Sequence, residues 1–223
     1  MNKIISLFLI AILLISTVFS SSTKECELCT NLMFDSLNEL IEIAINGGVI
    51  GSCAELCNKL GIAPLCMVCG IACDAVGINV FMDLLDDAFP DPLYICESVK
   101  MCEYNDNATS SISDLQINPM SGNVGDTFKI GVSYNVTNTI ATGEISWNVI
   151  DPKGFQFGEF EVIIDQTPST YSAVFNFQAT PSEQEEFPSG EYQLQMQICE
   201  GSCGSPHAHS YILSTQYLNF TII

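Results

Sequence analysis

Nine of the eleven cysteines in this 223-residue chain lie between Cys26 and Cys102. Paired cysteines need Cβ atoms about 4 Å apart, so such a cluster dictates which local elements can be neighbours. It also implies folding in an oxidising compartment. Within this stretch the apolar residues recur every three or four positions. Cys26, Cys29, Met33, Leu37, Leu40, Ile41 and Ala44 share one helical face that ends at Asn46-Gly47-Gly48. Ser52 with Glu55 forms a capping box for a second helix that stops near Gly61. Pro64 can open a third, and Asp91-Pro92 is an N-cap followed by proline at the first helical position of a last helix reaching Cys102. A small bundle of four or five helices is expected.

From about Asn105 the period changes from 3.6 to two. Phe128, Ile130, Val132 and Tyr134 share a face, as do Ile145, Trp147 and Val149, then Tyr171, Ala173, Phe175 and Phe177. Tyr192, Leu194, Met196 and Ile198 follow, and Leu218, Phe220 and Ile222 close the series. Six or seven strands between turn clusters such as Gly122-Asn123 and Asp151-Pro-Lys-Gly154 indicate an antiparallel sandwich. Pro188-Ser-Gly-Glu-Tyr192, leading into an alternating strand, resembles the approach to a late strand of immunoglobulin-like and fibronectin-like sandwiches. Cys199, however, has no partner on an early strand.

Cys26-x2-Cys29 and Cys96-x5-Cys102 place two thiols on neighbouring turns of the first and last helices, so the two can be bridged twice. The expected pairs are Cys26 with Cys102 and Cys29 with Cys96. This spacing resembles the saposin-like family, whose unit carries one further bridge in a central helical hairpin. Here five cysteines occupy that centre. In an antiparallel hairpin the paired position numbers add to a constant, which Cys53 with Cys73 and Cys57 with Cys69 satisfy, leaving Cys66 as a free thiol. Pairing of Cys57 with Cys66 is the competing arrangement, since connectivity is not contained in spacing alone. Cys66 is then either buried and inert or a handle for a second subunit. Cys199-Glu-Gly-Ser-Cys203 reads as a disulfide across a hairpin tip. His207 and His209 would complete a zinc set with these cysteines, a reading that oxidising export disfavours.

The predicted class is therefore α plus all-β in two domains: a disulfide-bonded saposin-like helical bundle, then an antiparallel immunoglobulin/fibronectin-like β-sandwich. Residues 1–20 read as a signal peptide, with basic Lys3, an apolar run from Ile4 to Leu14 and small residues near Ser20. That run is shorter than the roughly 20 residues a bilayer span needs. Residues 21–106 form the expected saposin B-type domain and 107–223 the sandwich. The sequons at Asn107, Asn135 and Asn219 are expected N-glycosylation sites. A secreted, extracellular protein is predicted, with no retention signal or lipid-anchor tail at its end.

The formal charge is −20, from 26 acids against 6 lysines with no arginine. A nucleic-acid partner that requires phosphate neutralisation is thereby excluded. The excess divides evenly. Thirteen acids and 3 lysines give −10 in the helical half without Lys3, and 13 acids and 2 lysines give −11 from Asn105 onward. No catalytic motif, cofactor site or metal site stands out, so no enzyme is expected. Asp83, Asp86, Asp87 and Asp91 lack the glycine and terminal Glu of a calcium loop and read as a solvated helix face. Leu84, Leu85, Phe89, Val49 and Ile50 are either core or the lining of a lipid-accepting groove.

A unit with extra cysteines that ends in Asp91-Pro-Leu-Tyr-Ile-Cys-Glu-Ser-Val-Lys-Met-Cys102, followed by one β domain, resembles the countin family of social amoebae. The resemblance covers essentially the whole chain beyond the signal peptide. It implies a secreted member of an extracellular cell-counting complex that limits the size of multicellular groups and modulates cell adhesion. Its partners would be other secreted subunits and a cell-surface receptor of unknown identity. The alternative is a saposin-like effector that binds lipid or perturbs membranes.

Overall fold

In a computed structural model the backbone is described for residues 2–87, 89–181 and 186–223, and the side chains for the same stretches from residue 23 onward. The expected signal peptide, 1–20, lies outside the residues whose side chains are described. The chain divides into two compact units, Met1–Glu103 and Tyr104–Ile223.

The first unit contains five helices: α1 (Asn2–Asn46), α2 (Cys53–Asn58), α3 (Ala63–Val76), α4 (Ile78–Leu85) and α5 (Pro92–Ser98). Along α1 the buried side chains are Cys26, Cys29, Thr30, Met33, Ser36, Leu37 and Leu40, at the three-and-four spacing of one helical face, together with Leu32. Past its end Gly48 adopts φ +78, and the Lys59 ammonium donates to the Gly47 carbonyl at 2.9 Å, satisfying an oxygen that the helix leaves open. The Ser52 hydroxyl accepts from Glu55 N at 3.2 Å, while the Glu55 carboxylate accepts from Gly51 N at 3.0 Å. Gly77, at φ +85, bends α3 against α4 by 109°. The Asp91 carboxylate caps α5 by accepting from Leu93 N at 2.9 Å and Tyr94 N at 3.2 Å.

The second unit contains eight strands: β1 (Thr109–Asn118), β2 (Ser121–Gly122), β3 (Thr127–Asn138), β4 (Ile140–Ile150), β5 (Gln156–Gln166), β6 (Ser169–Gln178), β7 (Gly190–Glu200) and β8 (Tyr211–Ile222). They form a three-stranded sheet, β1-β3-β6, and a five-stranded sheet, β2-β8-β7-β4-β5. Alternate residues of both sheets enter one core containing Phe128, Ile130, Trp147, Tyr192, Leu194 and Met196. Phe177 of β6 lies within 5.4 to 6.3 Å, ring centre to ring centre, of Phe128, Trp147, Phe157, Phe187 and Phe220. Truncating it would remove the hub of that aromatic cluster. Phe177→Ala is expected to destabilise the β unit by about 3–5 kcal/mol, measured by chemical denaturation through Trp147 fluorescence.

These elements correct the fold class expected from the sequence. Among the residues whose side chains are described, strand makes up 41% and helix 30%. Among the described residues there are five helices, two of which, α2 and α5, have only 6 and 7 residues. A saposin-like bundle joined to an immunoglobulin/fibronectin-like sandwich is not supported, and the saposin B-type assignment is withdrawn with it. A 3.6-residue period marks a helix without setting its length. Left-handed backbone at Gly61, Gly77 and Lys100 cuts the helical half into short pieces. In the β half, the two-residue β2 runs parallel to β8, a pairing that alternation along single strands does not encode.

Candidate functional site

A cluster of interacting polar groups is built where β7 runs out. The ladder between β7 and β8 shifts register between Ile198 and Cys199, and a disulfide from Cys199 to Cys203 (Cα–Cα 5.4 Å) closes the tip. Gly143 of β4 packs so tightly beneath it that a Cβ there would fall on the Cys199 carbonyl oxygen. Gly201 N donates to the Thr142 carbonyl at 2.8 Å, and Cys203 N donates to the Glu144 carboxylate at 2.8 Å. The hairpin end is thus held down on β4.

Between the two bridged cysteines sits Glu200, fully buried. One carboxylate oxygen accepts from Asn105 N at 2.6 Å and the other from Ala141 N at 3.1 Å. The residue therefore joins the segment entering β1 to the start of β4. Burial pushes its carboxyl up to about 7, against the opposing pull of the backbone amides of Asn105, Ala141 and Thr142, and nearby Asp106 adds to the rise. Asp106 behaves oppositely. Its carboxylate is bound to the His209 ring at 2.7 Å and accepts the Tyr211 hydroxyl at 2.8 Å, and these contacts hold it below the ordinary carboxylate range. Tyr104 stacks on His209 with ring centres 3.5 Å apart. Two carboxyls of opposite tendency thus share one end of the unit, and Glu200 can take up a proton near neutral pH while Asp106 stays ionised.

Cys199 and Cys203 are consumed in a disulfide, and His209 is engaged by Asp106, so the four residues of the zinc reading are not presented as a ligand set. Among the described residues no group of three or more His, Cys, Asp or Glu side chains could hold a metal ion. In the helical unit the structure joins Cys26 to Cys102 and Cys29 to Cys96, tying α1 to α5 and its extension. It joins Cys53 to Cys73 and Cys57 to Cys69, tying α2 to α3. Cys66 is free and partly exposed on α3. Asn107 and Asn219 are exposed and Asn135 is half-buried. The Asn135 carbonyl oxygen accepts from Thr170, and the Asn219 amide donates to Glu191.

Of the apolar residues considered for a lipid groove, Leu85 is buried in the core, Leu84 and Ile50 are partly buried, and Val49 and Phe89 are exposed. Asp91 is the α5 cap, whereas Asp83 and Asp86 face solvent beside a hollow of about 350 Å³ that Ile45, Met82 and Leu85 help to line. No single described helix is long and apolar enough to cross a membrane.

Glu200 was not singled out by the sequence. It is one acid among 26, and its only distinguishing mark is its place between two cysteines four residues apart.

Five disulfides across a strongly acidic chain of one helical and one β unit define a class: a disulfide-stabilised two-unit protein suited to oxidising surroundings. Residues 19–100 match the countin N-terminal domain and residues 110–223 the countin C-terminal domain. The chain belongs to the countin family. It is 82% identical to Countin-3 of Dictyostelium discoideum over 223 residues, covering the whole of both chains. With Countin-1 of the same organism it shares 47% identity, over 100% of this chain and 86% of that one. Countin-2 is 39% identical over 96% of this chain and 85% of its own. Among solved structures, the C-terminal domain of wzt covers 54% of this chain and 80% of its own at 14% identity and a TM-score of 0.42, too distant to inform the fold.

Proposed function

We propose that this chain is a secreted, glycosylated countin-like factor that limits the size of multicellular groups as part of an extracellular cell-counting complex and modulates cell adhesion. The observation that carries this reading is the 82% identity to Countin-3 along the entire chain. Export after removal of residues 1–20 is supported by the five disulfides, which an oxidising space preserves. Glycans on Asn107 and Asn219 would stand on exposed positions. The acidic surface keeps the protein soluble and makes a basic or neutral patch the fitting face of a partner subunit or receptor. The role is regulatory, exercised by binding and not by catalysis.

Purified protein added to aggregating social amoebae is expected to reduce group size and to co-purify with other secreted proteins on native gels. Unchanged groups and a monomeric species would overturn the reading. Neutral and anionic vesicles at about pH 4 to 7 form a parallel arm. Vesicle leakage without any effect on group size would turn the reading toward lipid.

A further inference from the structure

The outer face of the five-stranded sheet is unlike the rest of this acidic surface. On β7 and β8 its residues form three cross-strand pairs: Gln193 with Asn219, Gln195 with Tyr217 and Gln197 with Thr215. In each pair the glutamine amide nitrogen donates across to β8, at 3.5, 2.9 and 3.4 Å respectively. The three amide carbonyl oxygens have no protein partner among the described residues. They recur at every second residue of one strand, about 7 Å apart. A row of neutral acceptors suits a ligand that offers hydroxyl donors at intervals.

Beside this row lies a hollow of about 160 Å³ lined by Ser146, Asn148, Gly158, Phe160 and Gln197, with the carboxylates of Glu144 and Glu159 also in its wall. It exists because residue 158 is glycine: a Cβ there would collide with Asn148 and with the Trp147 carbonyl. Ser146 is 7% exposed, and its hydroxyl has no hydrogen-bond partner among the described residues. A buried hydroxyl without a partner is costly unless something comes to satisfy it. Phe160 and Tyr217, 47% and 53% exposed, flank the same face with their rings. The hollow is small beside the roughly 300–1,000 Å³ of a drug-sized pocket, a size that suits a single ring and not a whole ligand.

Charge narrows the ligand further. β4, β5, β7 and β8 carry no lysine, which removes the usual attraction for a sulfated or phosphorylated polymer. Two carboxylates, Glu144 and Glu159, line the hollow itself; Glu144 accepts from Cys203 N, and Glu191 on β7 accepts from Asn219.

We infer that the outer face of β5-β4-β7-β8 binds an external neutral glycan, with one sugar ring in the Ser146–Asn148–Phe160 hollow and the chain running along the glutamine row. The aromatic rings meet the apolar C–H faces of the sugars, and the amide carbonyls and Ser146 take up their hydroxyls. This binding face does not depend on the group-size reading and survives its failure.

The test is affinity electrophoresis of the full chain in gels cast with mannan, β-glucan or chitin oligomers, with heparin and polylysine as charged controls. At least one neutral polysaccharide is expected to retard the protein. Phe160→Ala and Gln195→Ala should each weaken the retardation at least tenfold, with unchanged circular dichroism to show intact folding. Thr221→Ala, which removes the Asn219 sequon while leaving the three cross-strand pairs intact, should bind as the wild type does. Retardation by charged polymers alone, by none of the polymers, or equally in the Phe160→Ala and Gln195→Ala variants overturns the inference. Binding by Thr221→Ala but not by the wild type also overturns it, because the face would then be filled by the protein's own glycan.

Discussion

Replacing both terminal cysteine pairs by serine is expected to unfold most of the helical unit at 37 °C, and replacing Cys29 and Cys96 alone to weaken it. The bridge they form closes a sequence separation of 67 residues, and a loop of that length restricts the unfolded chain by about 4 kcal/mol in the chain-entropy account. The total stability of a domain is about 5–15 kcal/mol, and small units sit at the low end. The remaining Cys26–Cys102 bridge limits the damage, since it closes nearly the same loop. Removing both pairs therefore has a larger effect than either alone, although the two contributions do not add. Ellipticity at 222 nm during urea denaturation, compared among wild type, the Cys29/Cys96 double serine variant and the fourfold variant, measures this directly. Equal midpoints in all three would show that helix packing, and not the bridges, holds the unit. By the same account, loss of the Cys199–Cys203 bridge, at a separation of 4, costs only about 2 kcal/mol.

Glu200→Gln is expected to abolish a pH dependence that the wild-type β unit carries between about pH 4.5 and 7. The carboxyl rises from 4.5 to about 7 in the folded state, so over this window the native protein holds a proton that the unfolded chain has released. Stability therefore falls as the pH rises through the window, and the contribution is greatest below the unfolded value. A difference of about 2.5 units corresponds to an upper bound of about 3 kcal/mol. Above pH 7 the wild type keeps an ionised carboxylate in a buried place, which Glu200→Gln relieves while keeping one carbonyl oxygen for Asn105 N or Ala141 N. Glu200→Ala loses both hydrogen bonds and should be less stable than wild type at pH 5 by about 2–3 kcal/mol. Urea denaturation at pH 5 and pH 8 for the three proteins, followed by Trp147 fluorescence, gives the comparison. An identical pH slope in wild type and Glu200→Gln would remove Glu200 as the source.

What was legible in the sequence was local and periodic. The buried face of α1 follows the apolar spacing from Cys26 to Leu40, because one helix turn repeats every 3.6 residues wherever it packs. The Ser52–Glu55 cap and the Asp91 cap before Pro92 are likewise properties of a few adjacent residues. Inward and outward phases of β3, β6 and β7 follow from alternation for the same reason. Helix length, and with it the fold class, was less legible: a period survives across a break, so it does not reveal that Gly61 or Gly77 ends one helix and turns the chain.

Sheet order, the parallel β2–β8 pair and the Glu200 node depend on contacts between residues far apart in the chain. Nothing in Glu200 itself separates it from the other acids; its character comes from Asn105, 95 positions earlier, and Ala141, 59 positions earlier. The glutamine row has the same origin. Gln193, Gln195 and Gln197 are ordinary outward residues of one strand, and they become a row beside a hollow only when β4 and β5 bring Ser146, Gly158 and Phe160 next to them. The cysteine cluster and its helical period, from which the chain's architecture is first approached, belong to the sequence by itself, because short-range geometry repeats with every turn. The proton-binding end of β7 and the glycan-sized hollow belong to the tertiary structure alone, because burial and neighbour identity are set by strand pairing that no local pattern carries.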